Sequence, residues 1–260
     1  DYAKNLKVIS TYSVGFDHID TDYAKKKKIR VGYTPEVLTD ATADMAFSLL
    51  LDIARRTTEA DRVIRDGKWK EIYGAFDYVG VDLQGKTIGI LGLGRIGSTL
   101  AKRVKAFDMK IIYHNRKHVA KSKEKSLGAK YVSFEKLITE SDFLSIHVPH
   151  TKETDRLFNM KIFRKMKKTS FLINTSRGKV VNEKDLATAL KKKIISGAGL
   201  DVFETEPIKK NHPLVKLQNV ILAPHIGSST KETRIKMAEI TIKNLNLGME
   251  RKKPIYSVGY

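Results

Sequence analysis

The sequence predicts an α/β fold in which a parallel sheet carries helices on both faces, and three observations predict it. Apolar runs of strand length recur through the middle of the 260-residue chain, with helix-length segments between them. A glycine-spaced turn, "GLGRIG" at 92–97, stands where one of these runs ends. Hydrophobic residues make up 41% of the chain, enough for a sizeable core at this length.

Taken in order, "KVISTYSVG" (7–15) and "IRVGYT" (29–34) read as two strands. Leu38 to Arg65 carries apolar residues at helical spacing, with Asp40 placed to cap one long helix. "KTIGIL" (86–91) is a buried strand, Gly92 to Phe107 a turn and helix, and "MKIIYH" (109–114) the second strand of a βαβ unit. "DFLSIHV" (142–148), "SFLINT" (170–175), "SGAGLDV" (196–202) and "NVILAP" (219–224) continue the sheet, with a helix over Glu183 to Lys192. Each short apolar run taken alone suits a buried helix segment as well; the repeated spacing favours strands. A second long helical pattern, Thr230 to Met249, closes the chain apart from a short tail. The arrangement predicts a central domain over 38–229, inserted between 1–37 and 230–260, which together form a small second domain with a poor core for its size.

Composition excludes several classes of function. No apolar run reaches the roughly 18 to 20 residues that a membrane span requires. The chain has no cysteine, so it has neither disulfide framework nor thiolate chemistry, which suits a reducing compartment such as the cytoplasm. The formal net charge of +20 comes largely from lysines in short runs, such as Lys25 to Lys28 and Lys191 to Lys193. These lack interleaved aromatic residues, so they read as a solvated surface and not as a specific nucleic-acid site. The chain opens on Asp1, so a targeting segment upstream is left open.

Gly92, Gly94 and Gly97 form G-x-G-x-x-G between a strand and a helix. In that setting the first glycine makes a tight turn and the second lets backbone approach a pyrophosphate. The third lets helix and strand pack, and the helix N-terminus faces the phosphates. This predicts a Rossmann-type doubly wound sheet that binds a dinucleotide. The acid that normally holds the adenosine ribose is replaced by Asn115, followed by Arg116 and Lys117. Asn115 bonds a hydroxyl without charge, and two cations suit a 2′-phosphate, so NADP(H) is the expected cofactor with NAD(H) second.

Arg177, Glu206 and His225 each stand just beyond a predicted strand. Arg177 suits a two-pronged grip on a carboxylate, His225 donates a proton near neutral pH, and Glu206 orients it. On spacing alone the three read rather as ordinary surface residues at loop ends. His18, His114, His118 and His212 read as turn or loop residues, and His147 and His150 as shape around Pro149. Without cysteine, no metal site is expected.

"GLGRIG", "INTSRGKVVNEKDLATAL", "GAGLDVFETEP" and "NVILAPHIGSST", in this order, resemble the D-isomer-specific 2-hydroxyacid dehydrogenases. "LKVISTYSVGFDHID" and "VGYTPEVLTDATADMAFSLLL" point to the glyoxylate and hydroxypyruvate reductase branch. The resemblance covers essentially the whole chain. It implies a catalytic trio of Arg177, Glu206 and His225, with Val14 and Gly15 offering amides to the substrate carboxylate. It also implies Arg95 and Ile96 at the pyrophosphate, Thr175 and Ser176 along the nicotinamide, Asp201 near the nicotinamide amide, and Gly227 at the cofactor.

The activity so implied is reduction of a small 2-oxo acid to its 2-hydroxy acid, by a homodimer. The second domain would be flavodoxin-like and N-terminally truncated, since family members begin with a longer segment. A phosphoglycerate dehydrogenase and a corepressor-like sensor of NAD(H) are the competing readings. Trp69, Tyr73, Phe76 and Tyr78 lie on a segment too aromatic for water, the expected dimer contact unless these rings cover the domain's own core.

Overall fold

The computed structural model describes residues 3–258. They form two units: Thr42–Gly227, and the residues up to Ala41 together with those from Ser228 on. The first division falls inside a long helix and not ahead of it.

The smaller unit contains β1 (Val8–Ser10), α1 (Thr21–Lys26) and β2 (Arg30–Gly32), and β1 and β2 pair in parallel. Its core is small, with Ala24, Ile29 and Val31 buried together. Next comes α2 (Thr39–Arg55), and Asp40 lies within its first turn, so it is not the cap. The expected single helix to Arg65 is broken. Arg56 adopts φ +58 and a new helix, α3 (Thr57–Arg65), begins after it. The cause is Asp52, whose carboxylate accepts from the Thr57 hydroxyl and from the Thr58 amide and hydroxyl, capping the second helix from within the first.

The sheet of the larger unit is built from β3 (Thr87–Leu91), β4 (Lys110–His114), β5 (Ala129–Tyr131), β6 (Phe143–Ile146), β7 (Phe171–Asn174), β8 (Gly197–Leu200) and β9 (Val220–Leu222). The order is β5-β4-β3-β6-β7-β8-β9, all parallel. Helices α4 (Arg95–Lys105), α5 (Lys121–Leu127), α6 (Phe134–Glu140), α7 (Met160–Phe163) and α8 (Glu183–Lys191) lie between the strands. Alternation along the strands feeds two cores. Ile88, Ile90, Ile111, Tyr113, Phe143, Phe171 and Ile173 enter one, while Leu91, Ile112, Leu144, Ile146 and Leu172 enter the other. Strand β5, three residues with an exposed Lys130, escapes the sequence pattern because so little of it is apolar.

From β3 the chain winds outward through β4 and β5, then returns to β6 on the other flank of β3. That reversal opens a crevice beyond the carboxyl ends of β3 and β6. The last long helix, α9 (Lys231–Met249), belongs to the smaller unit and is capped by the Thr230 hydroxyl. Among the described residues no helix is long and apolar enough to cross a membrane.

Candidate active site

The glycine turn closes on itself. Gly92 has φ +99, and a Cβ there would meet the His147 carbonyl oxygen at 2.8 Å; one on Gly97 would meet the Gly92 carbonyl oxygen at 2.2 Å. Around Gly94 a Cβ would meet nothing within 4 Å. Two glycines are therefore required by the protein's own packing, and the middle one leaves its space to a ligand. Gly94 is the N-cap of α4, which begins with Arg95 and Ile96 and has no acid in its first turn, so its N-terminus is suited to an anion.

The turn opens on a cavity of about 940 Å³ that Asn115, Arg116 and Lys117 also line, with Val148, Pro149 and Glu153 among the other residues around it. The Thr175 hydroxyl is buried without a hydrogen-bond partner, a polar group that a bound cofactor can satisfy. Cavity, vacant space at Gly94 and orphaned hydroxyl fit a dinucleotide.

The segment after β4 is braced. Asn115 Oδ1 accepts the Leu93 amide at 2.7 Å, so that oxygen holds the glycine turn and a ribose hydroxyl would meet the amide nitrogen. Tyr113 donates to Glu124 at 2.5 Å and accepts from the Val119 amide at 3.1 Å; burial, then the Glu124 bond, pushes its pKa up to about 12. The His118 ring stacks on Tyr131 at 3.6 Å. Arg116 and Lys117 thus sit on a held turn. Glu153 takes the Thr151 hydroxyl at 2.6 Å, which, with Arg116 contributing, keeps its carboxyl below the usual range. His147, also on the cavity, lies 2.8 Å from the Ser145 hydroxyl, and burial lowers its pKa to about 4, so the ring is neutral.

The candidate catalytic residues follow the adjacent strands β7, β8 and β9. Asn174 ends β7 and spans the turn after it: Nδ2 donates to the Arg177 carbonyl at 3.0 Å, and Oδ1 accepts the Ser176 amide at 3.0 Å and hydroxyl at 2.8 Å. Arg177 leaves this turn extended and donates to the Ser176 carbonyl at 2.7 Å.

Glu206 uses both oxygens, accepting the Phe203 amide at 2.9 Å and pairing with His225 Nδ1 at 2.7 Å. A carboxylate only accepts, so Nδ1 carries hydrogen and Nε2 is left to face a reactant. His225 holds φ +54, a conformation rare outside glycine. Asp201 fixes the backbone just beyond it, accepting the Ile226 and Gly227 amides at 2.7 Å each. Burial raises the Asp201 pKa while those two amides oppose the rise.

Val14 and Gly15 belong to the smaller unit, on the segment after β1, where Ser13 donates to the Gly15 carbonyl at 2.6 Å. Sequence reasoning missed Asn174 and Tyr113 as supports of the site. Asn two residues ahead of a backbone turn is a signal that could have found the first.

Fold and site together define an oxidoreductase that works with a bound dinucleotide. The profile of "D-isomer specific 2-hydroxyacid dehydrogenase, NAD binding domain" matches residues 47–227, and the chain belongs to this family, in its glyoxylate reductase branch. It is 51% identical to a glyoxylate reductase of Korarchaeum cryptofilum over 94% of this chain and 73% of that one. A glyoxylate reductase of Thermococcus litoralis is 54% identical over 94% of this chain and 74% of its own. The crystal structure of the NADPH-dependent glyoxylate/hydroxypyruvate reductase of Sinorhizobium meliloti, in complex with NADP and malonate, superposes with a TM-score of 0.89. It is 35% identical and covers 98% of this chain and 78% of that chain.

Proposed function

We propose that this 2-hydroxyacid dehydrogenase reduces glyoxylate or hydroxypyruvate to the 2-hydroxy acid, of D configuration where the carbon is chiral, with NADPH preferred over NADH. When bound, the reduced nicotinamide supplies the hydride. His225, protonated, gives a proton from Nε2 to the carbonyl oxygen, while Glu206 holds Nδ1 and fixes the ring's direction. Arg177 grips the substrate carboxylate and offsets the charge developing on the carbonyl oxygen. Arg95 and Ile96 serve the pyrophosphate, and Thr175 and Ser176 line the nicotinamide. Asp201 serves the nicotinamide amide, with Gly227 also at the cofactor, and Asp201 accepts the Gly227 amide.

The 2.7 Å contact between His225 and Glu206 is the observation that carries this reading. The NADPH preference rests on Arg116 and Lys117 at the cavity edge and on the uncharged Asn115. We propose that the working form is a homodimer in the cytoplasm. The exposed aromatic segment supports the first, and a chain without cysteine suits the second.

The test is a panel of glyoxylate, hydroxypyruvate, its 3-phosphate and pyruvate, each with both reduced cofactors. Highest kcat/KM on glyoxylate or hydroxypyruvate with NADPH supports the proposal. Preference for the phosphorylated acid, or cofactor binding without turnover of any, sinks it.

A further inference from the structure

We infer that Glu183, with His212 beside it, is a positioning residue for this reaction: it locks the loop bearing Glu206 to the loop bearing Arg177. The inference rests on the reading that Glu206 and His225 carry the proton transfer.

Glu183 opens α8, six residues after Arg177, and is only 7% exposed. An acid in a helix's first turn is ordinarily a solvent-facing partner of the helix dipole, and that role needs no burial. Here the carboxylate is turned to another loop. Its Oε1 accepts the Glu204 amide at 2.6 Å, and Glu204 Oε1 accepts the Glu183 amide at 3.0 Å, so two carboxylates cap each other's backbone reciprocally. The other Glu183 oxygen lies 3.2 Å from His212 Nε2. His212 Nδ1 accepts the Leu214 amide at 3.3 Å, so Nε2 is the ring nitrogen that carries the hydrogen, beside the Glu183 carboxylate. The other Glu204 oxygen takes Arg156 at 3.0 Å.

These bonds hold the stretch that aims the site. Glu204 adjoins Phe203, whose amide donates to Glu206 Oε1 at 2.9 Å, and Glu206 Oε2 holds His225 at 2.7 Å. On the other side the same stretch lies on Gly178, next to Arg177. A Cβ on Gly178 would fall 1.8 Å from the Phe203 carbonyl carbon and 2.4 Å from the Glu204 amide, so no side chain can part the two loops. The Glu183–Glu204 clamp is therefore one short path of bonds from His225 and one turn of chain from Arg177. A shift of the 203–206 loop would move the imidazole that delivers the proton relative to the guanidinium that holds the acid. Burial raises the Glu183 pKa; the Glu204 amide and His212 oppose the rise, while Glu204 and Glu206 add to it.

The experiment measures kcat, KM for glyoxylate, NADPH dissociation constant and melting temperature. It compares the parent with Glu183→Ala, Glu183→Gln and His212→Ala, each also combined with Glu206→Gln. Glu183→Ala should lower kcat by about 10- to 100-fold, the range for a misaimed catalytic group, with the NADPH dissociation constant within about twofold. Glu183→Gln keeps an acceptor for the Glu204 amide and should recover most of that loss. In the Glu206→Gln background, Glu183→Ala should cost less than about threefold more, because both substitutions break one path.

A lowered melting temperature with unchanged kcat, or full multiplication of the two effects in the double variant, overturns the inference. If Glu183→Ala does not fold, His212→Ala is judged by the same criteria, with a fall in kcat of about threefold or more expected while the NADPH dissociation constant stays within about twofold. A Glu206→Gln enzyme as fast as the parent would bring down the proton-transfer reading and this inference together. A slow Glu206→Gln with multiplicative cycles removes the inference alone.

Discussion

His225 combines a left-handed backbone with a carboxylate on one ring nitrogen and two stapled amides just beyond it. His225→Asn should lower turnover by at least about 100-fold, the low end for a general acid, while cofactor binding persists; a small change would place the donor elsewhere. Glu206→Gln loses the carboxylate that fixes the Nδ1 hydrogen and the direction of the ring, so kcat should fall by about 10-fold or more. An unchanged kcat would take Glu206 out of that role.

Cofactor choice is read by the same logic. Arg116→Ala should hurt kcat/KM with NADPH selectively, and Asn115→Asp, which keeps an acceptor for the Leu93 amide, should move preference toward NADH. Equal losses with both cofactors would mean that no phosphate is read here. Burial sets His147 apart: its native value of about 4 lies below the ordinary 6.5, so the unfolded chain binds a proton that the native state refuses. Its contribution to stability is full above about pH 6.5 and is lost as pH falls toward 4. The melting temperature of His147→Gln should accordingly fall less than the parent's over that window.

At the scale of elements, the glycine turn was legible because each glycine has its own mechanical reason, and the structure separates those reasons. Gly97→Ala should force α4 away from the turn, costing about 1–3 kcal/mol as overpacking does and weakening cofactor binding. Unchanged melting and affinity would show that the turn yields freely. Strands β3, β4, β6 and β7 were legible because runs such as "KTIGIL" are apolar on both faces, as a sheet covered twice requires. The break between α2 and α3 was not, because helical periodicity runs across it. Asp52 ends the helix by capping residues five and six positions ahead, a contact that exists only once the chain has turned.

For the whole molecule, the aromatic segment after α3 is the exposed feature that most needs a partner. Ile72 and Phe76 are 93% and 92% exposed, and Tyr73 stacks on Tyr78 at 4.9 Å, with the Arg56 guanidinium 4.6 Å from the Tyr78 ring. The rings pack on one another and leave the apolar tips in water, a patch suited to a second copy. Light scattering at micromolar concentration should give twice the chain mass, and Ile72→Ser with Phe76→Ser should shift it toward the monomer. A monomeric parent would sink the dimer.

By itself the sequence determined the parallel α/β architecture, the dinucleotide turn and the candidates Arg177, Glu206 and His225. The first two rest on local signals, apolar periodicity and glycine spacing, and the three candidates on the resemblance carried by four ordered motifs. Only the tertiary structure decided what holds them. The mutual capping of Glu183 and Glu204, 21 positions apart, the pairing of His225 with Glu206 across 19, and the grip of Asn115 on Leu93 across 22 are contacts between segments beyond the strand ends that sequence distance hides. The sheet brings such ends together because its order follows the winding of the crossovers, while the sequence displays only the order of the chain.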